Sequence, residues 1–381
     1  MILPDNATAT DSGATPQAAG PAPQSAALLS ERIDKAKIAF TCRRVPTADM
    51  RTLVVDASPR AGDLVLARLA RRRQHPRIEL PTGRKAALFV GDEIIVSYGN
   101  RYATDQFEAL VPDDLAPCHL VASGGVASRM IARHRSVKPA TEIEPIGLVG
   151  DAHGKPLNLR QYALQPIPES ASRPLCLAVV GSAMNAGKTT SAAHLVRAFR
   201  QAGHTVGAAK ITGTGSGGDY WKLLDAGADK VLDFTDAGYV STHRVPLAEL
   251  CAIAKQLISH LKKAGASVII LEIADGLLQS ETAGLVQSPF LRHLIDGYLL
   301  AISDALSAAA GVDWMARREL PLLALCGTIS RSPLAVREAL ATSSLPVLSL
   351  QELGNPDVAS NLMAARRTVT SQRVAEVAAH A

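Results

Sequence analysis

Between residues 175 and 199 the chain changes character twice. Six apolar residues (175–180) run into a polar loop bounded by glycines, after which Ala, Leu and Val recur at helical spacing to residue 199. An unbroken apolar run of this length predicts a strand buried on both faces, and the spacing beyond the loop predicts a helix. The pattern recurs downstream. Apolar runs at 204–210, 266–272, 320–326 and 345–350 predict further strands, Leu257, Leu261 and Ala264 mark a helix, and 291–312 reads as another helix. Strands alternating with helices predict an α/β domain with a mostly parallel sheet over 173–352, followed by a helical C-terminal tail at 353–381.

Upstream the period shortens. Runs rich in β-branched and aliphatic residues at 51–56, 62–68, 77–80, 86–90 and 93–98, separated by the turns Pro81-Thr-Gly83 and Gly91-Asp92, predict short strands and a small β-barrel within a β-rich domain at 38–150. Ser123-Gly-Gly125 is followed by a segment that reads as helical, which makes it a candidate second anion-holding turn. The prolines and polar residues of 151–172 read as a linker. Residues 1–30 are mostly Ala, Pro, Ser, Thr, Gly and Gln, too few bulky side chains to offset the entropy of ordering, and predict a disordered tail.

Composition narrows the function class. The 381 residues suffice for two cores, and 47% hydrophobic residues are globular. Aromatics at 4% argue against stacking platforms for single-stranded nucleic acid, and a formal charge of +5 permits an anionic partner without demanding one. The basic run Arg71-Arg-Arg73 reads as a solvated surface. Five scattered cysteines lack metal-like spacing and read as buried thiols in a reducing compartment; no apolar run reaches membrane-spanning length, and a cytoplasmic protein is expected.

The chemistry concentrates in Gly181-Ser-Ala-Met-Asn185-Ala186-Gly187-Lys188-Thr189-Thr190. Glycines let the loop turn its N–H groups inward, the helix N-terminus carries partial positive charge, Lys188 brings an ammonium and Thr189 a hydroxyl suited to magnesium. The second strand ends at Lys210, before a glycine-rich exit containing Thr212 and leading to Asp219. The apolar run at 268–271 ends on Glu272, with Asp275 shortly after; either carboxylate suits a magnesium ion or its water shell. Residues 98–105, with two tyrosines, Asn100, Arg101 and Asp105, read as a loop with binding chemistry or, equally, as a turn with ordinary capping.

The first glycine stands six positions before Gly187, one more than the commonest spacing. In this the loop resembles that of dethiobiotin synthetase and its SIMIBI-class P-loop relatives. The order of loop, strand ending in lysine, and Asp219-Tyr-Trp-Lys222 leading to Asp225-Ala-Gly-Ala228 is similar to the molybdopterin-guanine dinucleotide biosynthesis B protein. The resemblance implies a P-loop NTPase domain. It also implies a small-molecule or carboxylate acceptor near Thr212 and Asp219, and a homodimer.

The expected function is an ATP- and magnesium-dependent NTPase or kinase-like enzyme acting on the γ-phosphoryl group. Lys188, Lys210, Glu272 and Asp275 are its candidate catalytic residues. Gly181, Asn185, Ala186, Gly187, Lys188, Thr189 and Thr190 hold the nucleotide, and Thr189 and Glu272 position the metal. ATP is preferred because no Asn-Lys-x-Asp guanine-reading motif is present. Two alternatives remain open: a GTP-binding accessory protein of cofactor biosynthesis, and a polynucleotide 5′-hydroxyl kinase, against which the low aromatic content counts.

Overall fold

The computed structural model describes residues 26–168 and 170–364. Most of the expected tail therefore lies outside the described residues. Its last part does not behave as expected, because helix α1 (Ala26–Lys35) starts at residue 26 and packs Leu29 and Ile33, four apart on one face, into the adjoining core.

Eleven strands follow: β1 (Lys37–Ile38), β2 (Thr52–Val54), β3 (Leu64–Arg71), β4 (Arg77–Glu79), β5 (Lys85–Ala87), β6 (Glu93–Tyr98), β7 (Arg101–Tyr102), β8 (Phe107–Leu110), β9 (Cys118–Ala122), β10 (Val126–Arg133) and β11 (Thr141–Gly150). Strands β6, β3, β11, β9 and β10 pair in that order, and β10 pairs back onto β6. These five strands thereby close into a barrel, onto which β1, β2 and the β8–β7 pair are added.

Closure overturns one expectation. Ser123-Gly-Gly125 is the turn of the antiparallel β9–β10 pair, and the segment after it is a strand. Its Ala, Met and Arg residues suit a helix equally well, and pairing with β6, β8 and β9 decides the outcome.

The second half alternates. In chain order it runs β12 (Leu175–Gly181), α2 (Lys188–Gln201), β13 (Val206–Lys210), α3 (Gly217–Asp225), β14 (Lys230–Asp233), α4 (Leu247–Lys263), β15 (Val268–Glu272), α5 (Ser280–Gln287) and α6 (Pro289–Leu294). It continues through β16 (Gly297–Ala301), α7 (Ala305–Ala316), β17 (Leu322–Cys326), α8 (Pro333–Leu340) and α9 (Leu350–Leu353). The six strands form one parallel sheet in the order β14-β13-β15-β12-β16-β17, with separate apolar cores on its two faces. Every residue of β12, β15 and β16 is buried, as strands covered on both faces require.

Two strand assignments change. The expected helix at 291–312 contains β16, because Gly-Tyr-Leu-Leu-Ala is a short apolar run that periodicity cannot assign. The expected strand at 345–350 shrinks to a single parallel bridge between Leu325 and Val347 before α9 begins.

The halves are joined by more than a linker. The Arg43 guanidinium reaches Asp233 (3.2 Å) and Asp236 (2.9 Å). The Gly217 N–H donates to Glu79 Oε2 (2.8 Å), and Val240, which follows β14, is buried in the barrel core. Among the described residues no helix is long and apolar enough to cross a membrane.

Candidate functional site

The loop between β12 and α2 has the features of an anion cradle. Gly187 caps α2 with φ 104°, a left-handed conformation that favours glycine. No side chain caps this helix and its first turn holds no acidic residue, so its leading N–H groups stay available to a ligand. A Cβ on Gly187 would lie 3.0 Å from Gly327 Cα, and one on Gly327 only 2.3 Å from the Ala186 carbonyl oxygen. The loop after β17 thus packs directly on the phosphate loop, and the Thr328 N–H donates to Ala186 (2.9 Å). Asn185 also takes a left-handed φ, 62°. Lys188 is buried and donates to the Ala183 carbonyl (2.9 Å), while a Cβ on Gly181 would lie 2.8 Å from Lys188 Cδ. Thr190 accepts a hydrogen bond from Lys222 Nζ (2.6 Å).

Next to the loop, three strand or helix ends converge. The Thr189 hydroxyl lies 2.9 Å from Glu272 Oε1, at the end of β15, and 3.0 Å from Asp219 Oδ1, in the first turn of α3. Lys210, at the end of β13, pairs with Asp219 and lies 3.7 Å from Glu272 Oε1. Glu272 Oε2 is buried without a hydrogen-bond partner.

Burial alone would lower the Lys210 pKa, but the Asp219 and Glu272 charges outweigh it and raise it well above the ordinary lysine value. Burial lowers that of Lys188, partly opposed by Glu272 and Asp275. It raises those of Glu272 and Asp275 despite the neighbouring lysines. Asp219 is also penalised by burial, yet Lys210 holds it below the usual carboxylate range.

The sequence-derived candidates thus gather at the carboxyl ends of β12, β13 and β15, with one difference of position. Asp219 sits at the Thr189 hydroxyl, whereas Thr212 is buried and donates to the Ala274 carbonyl.

The barrel reaches the same place. Asn185 Nδ2 donates to Asp105 Oδ2 (2.8 Å), and Arg101, itself buried, has Asp105 and Asp275 as its charged neighbours. Burial brings the Arg101 pKa down to about 10 against the pull of these two carboxylates. The stretch 98–105, for which the sequence leaves a binding loop and a capped turn both open, therefore reaches the phosphate loop through Asp105.

A feature the sequence reading missed stands alongside. His243 Nδ1 lies 3.1 Å from Glu281 Oε1, a pairing across 38 positions that no local motif signals. A small crevice of about 10 Å³, room for little more than one water molecule, is lined by Tyr102 from the barrel and by Thr214, Ser241, Thr242, His243, Asp275 and Gln279 among others. A larger, open cavity of about 740 Å³ lies on the barrel against Arg72, Arg73, Arg77 and Lys138, with Arg73 tied to Glu142 (2.8 Å). The cysteines form no disulfides; Cys42, Cys118, Cys176 and Cys326 are buried, and Cys251 is half-buried.

Among the described residues no group of three or more His, Cys, Asp or Glu side chains is arranged to hold a metal. Thr189 and Glu272 nevertheless suit magnesium, which commonly takes one or two protein oxygens and completes its shell with phosphates and water. The unpartnered Glu272 Oε2 is an oxygen still free for such a role.

No protein-family model matches the chain, and no curated protein matches it. Several solved structures are similar. The signal recognition particle receptor FtsY of Elizabethkingia anophelis is 14% identical over 49% of this chain and 63% of its own, with a TM-score of 0.34. The signal recognition particle 54 kDa protein of Aeropyrum pernix K1, solved in complex with GDP, is 18% identical over 54% of this chain and 50% of its own, with a TM-score of 0.35. The cell division protein ftsY of Thermotoga maritima is 21% identical over 42% of this chain and 53% of its own, with a TM-score of 0.30. This chain thus spans between 50% and 63% of the length of these three structures. With a phosphate loop after the interior strand β12 and β15 beside it ending in a glutamate, the six-stranded parallel sheet has the α/β P-loop NTPase fold that the resemblance to SIMIBI-class proteins implied.

Proposed function

We propose that this protein binds a nucleoside triphosphate, ATP, together with magnesium, and transfers or hydrolyses its γ-phosphoryl group with a small molecule as acceptor. One observation carries the reading: the Thr189 hydroxyl, immediately after Gly187-Lys188, is held between the Glu272 and Asp219 carboxylates. A hydroxyl and a carboxylate beside an uncapped helix N-terminus suit a triphosphate and its cation together.

The geometry supports one division of labour. The N–H groups of residues 186–189 and Lys188 bind the phosphate oxygens, with the ammonium leaving the Ala183 carbonyl for them. Magnesium, when bound, neutralises charge on the β- and γ-phosphates. Glu272 and Thr189 are the residues that hold it. Lys210, kept protonated by Asp219 and Glu272, stabilises negative charge that develops on the transferring group.

Thermal-shift measurements with ATP, GTP and ADP plus magnesium, followed by phosphate release, test this. ATP stabilises the wild type and is turned over, and Lys188→Ala abolishes both effects. Intact turnover in Lys188→Ala overturns the phosphate-loop role; stabilisation by GTP alone overturns the choice of ATP.

A further inference from the structure

In sequence the basic run Arg71-Arg-Arg73 reads as a solvated surface, and the fold divides it. Arg71 ends β3 beside Glu142, with 3.7 Å between Nε and Oε2. Arg72 and Arg73 instead border the open cleft of about 740 Å³ on the barrel, together with Arg77, the first residue of β4, and Lys138, from the loop between β10 and β11. Four cations from three separate segments thus border one cleft, in a chain whose formal net charge is only +5. Its described lining contains no acidic residue and no aromatic one. No residue of the phosphate loop lines it, so the nucleotide site leaves this concentration of charge without a use.

The cations are little neutralised. Arg73 gives its Nε to Glu142 Oε1 (2.8 Å), and Arg72 makes one long contact, from Nη1 to the Leu88 carbonyl (3.4 Å). Among the described residues the side chains of Arg77 and Lys138 have no hydrogen-bond or ion-pair partner. Like charges gathered in this way repel one another, and an anion bound between them relieves the repulsion. The segments that carry them are also braced. The buried Thr141 hydroxyl accepts from the Arg73 N–H (3.0 Å) and the His75 N–H (3.1 Å) and donates to the His75 carbonyl (3.0 Å). The Gln74 N–H donates to the Pro139 carbonyl (3.2 Å), and Gln74 Oε1 accepts from the Lys138 N–H (3.0 Å). On the other side the Leu88 N–H donates to the Pro76 carbonyl (3.0 Å), and Arg77 is paired with Ala87 across β4 and β5. The backbone beneath the cations is therefore fixed before any ligand arrives, and binding costs mainly side-chain freedom.

We propose that this cleft is a binding site for a compact small molecule carrying two or more clustered phosphate groups. Guanidinium forks match phosphate oxygens two at a time, and the lysine adds a point charge. Clustered phosphates bring several negative charges within a few atoms, which answers the crowding of the cations. An acidic peptide spreads its charge along an extended chain, one carboxylate per residue. A strand of nucleic acid gains much of its affinity from stacking faces, which the lining lacks. The volume of the cleft falls within the range of small-molecule sites.

The test is calorimetric titration of the full chain with inositol hexakisphosphate and with tripolyphosphate, in the absence of nucleotide and magnesium. The wild type binds at least one of the two probes, with an affinity that falls as salt rises. Arg72→Ala and Arg77→Ala each weaken binding about tenfold, the loss of one charge-assisted hydrogen bond, and Arg77→Lys lies between Arg77→Ala and the wild type. Both arginines are exposed, so the urea midpoints of these variants stay at the wild-type value. Lys188→Ala retains the affinity, which separates the cleft from the phosphate loop. Binding that is lost in Lys188→Ala and unchanged in Arg72→Ala and Arg77→Ala assigns the probe to the phosphate loop and overturns the proposal. Failure of the wild type to bind either probe at millimolar concentration overturns it too. A glutamate-rich peptide or an RNA duplex that binds through Arg72 and Arg77 more tightly than both probes overturns the choice of a compact polyphosphate.

Discussion

Asn185 of the phosphate loop is hydrogen-bonded at 2.8 Å to Asp105 of the barrel, the one side chain holding the other across the boundary between the two sheets. Asn185 sits at φ 62°, a conformation available to asparagine at some cost. The bond therefore helps keep the loop in its ligand-ready shape.

Asp105→Ala is expected to weaken nucleotide binding by ~5–30-fold, the loss of about 1–2 kcal/mol of hydrogen bonding. Asp105→Asn, which keeps an acceptor and removes the charge, is expected to stay close to wild type. Titration with a fluorescent ATP analogue separates the two. Tighter binding in both variants would mean that Asp105 acts by repelling the phosphates.

Glu272 and Asp275 are expected to differ. Glu272→Gln, altered at the Thr189 contact, should cost ~10²–10³-fold in phosphate release with the fold intact by circular dichroism. Asp275→Asn should cost much less in the release of phosphate to water. The reverse order would transfer the metal-holding role from Glu272 to Asp275.

Arg43 is the cation between the buried Asp233 and Asp236 carboxylates. Burial disfavours its charge, yet the two carboxylates raise its pKa above the free value. Arg43→Ala is expected to destabilise the fold by about 3–5 kcal/mol in urea denaturation, because the buried Asp233 loses its counter-ion and Asp236 keeps only the longer pairing to Arg44 (3.5 Å). Adding Asp233→Asn and Asp236→Asn to that variant should recover part of the loss.

His75 supplies a pH dependence. Burial, reinforced by the Arg101 charge, lowers its pKa from 6.5 to about 4. As pH falls through this window the unfolded chain takes up the proton first, so stability is full above about 6.5 and declines towards about 4. Urea midpoints of wild type and His75→Gln at a series of pH values check this. The difference between the two curves should narrow as pH falls.

The phosphate loop was legible because its chemistry is local: Gly187, Lys188 and Thr189 are contiguous, and the strand and helix around them announce themselves by period. Glu272 and Lys210 were legible because each ends an apolar run. What escaped depended on distance. β10 reads as helical in sequence because this segment has no strong local preference until β6, β8 and β9 pair with it. β16 was hidden in a longer apolar stretch for a similar reason. His243 and Glu281 are brought together only by the packing of the segment after β14 against α5, which no spacing encodes.

Val240 has a consequence for how the chain comes into being. It is buried in the barrel core, and a Cβ on Gly99 of the barrel would lie only 2.1 Å from Val240 Cγ1. On the ribosome the barrel strands emerge first and can begin to pair, yet their core keeps an open slot until β12, β13 and β14 have also been made. A nascent chain that stops in that interval exposes an unfinished apolar surface. Synthesis of the two halves is sequential; completion of the first belongs to the second.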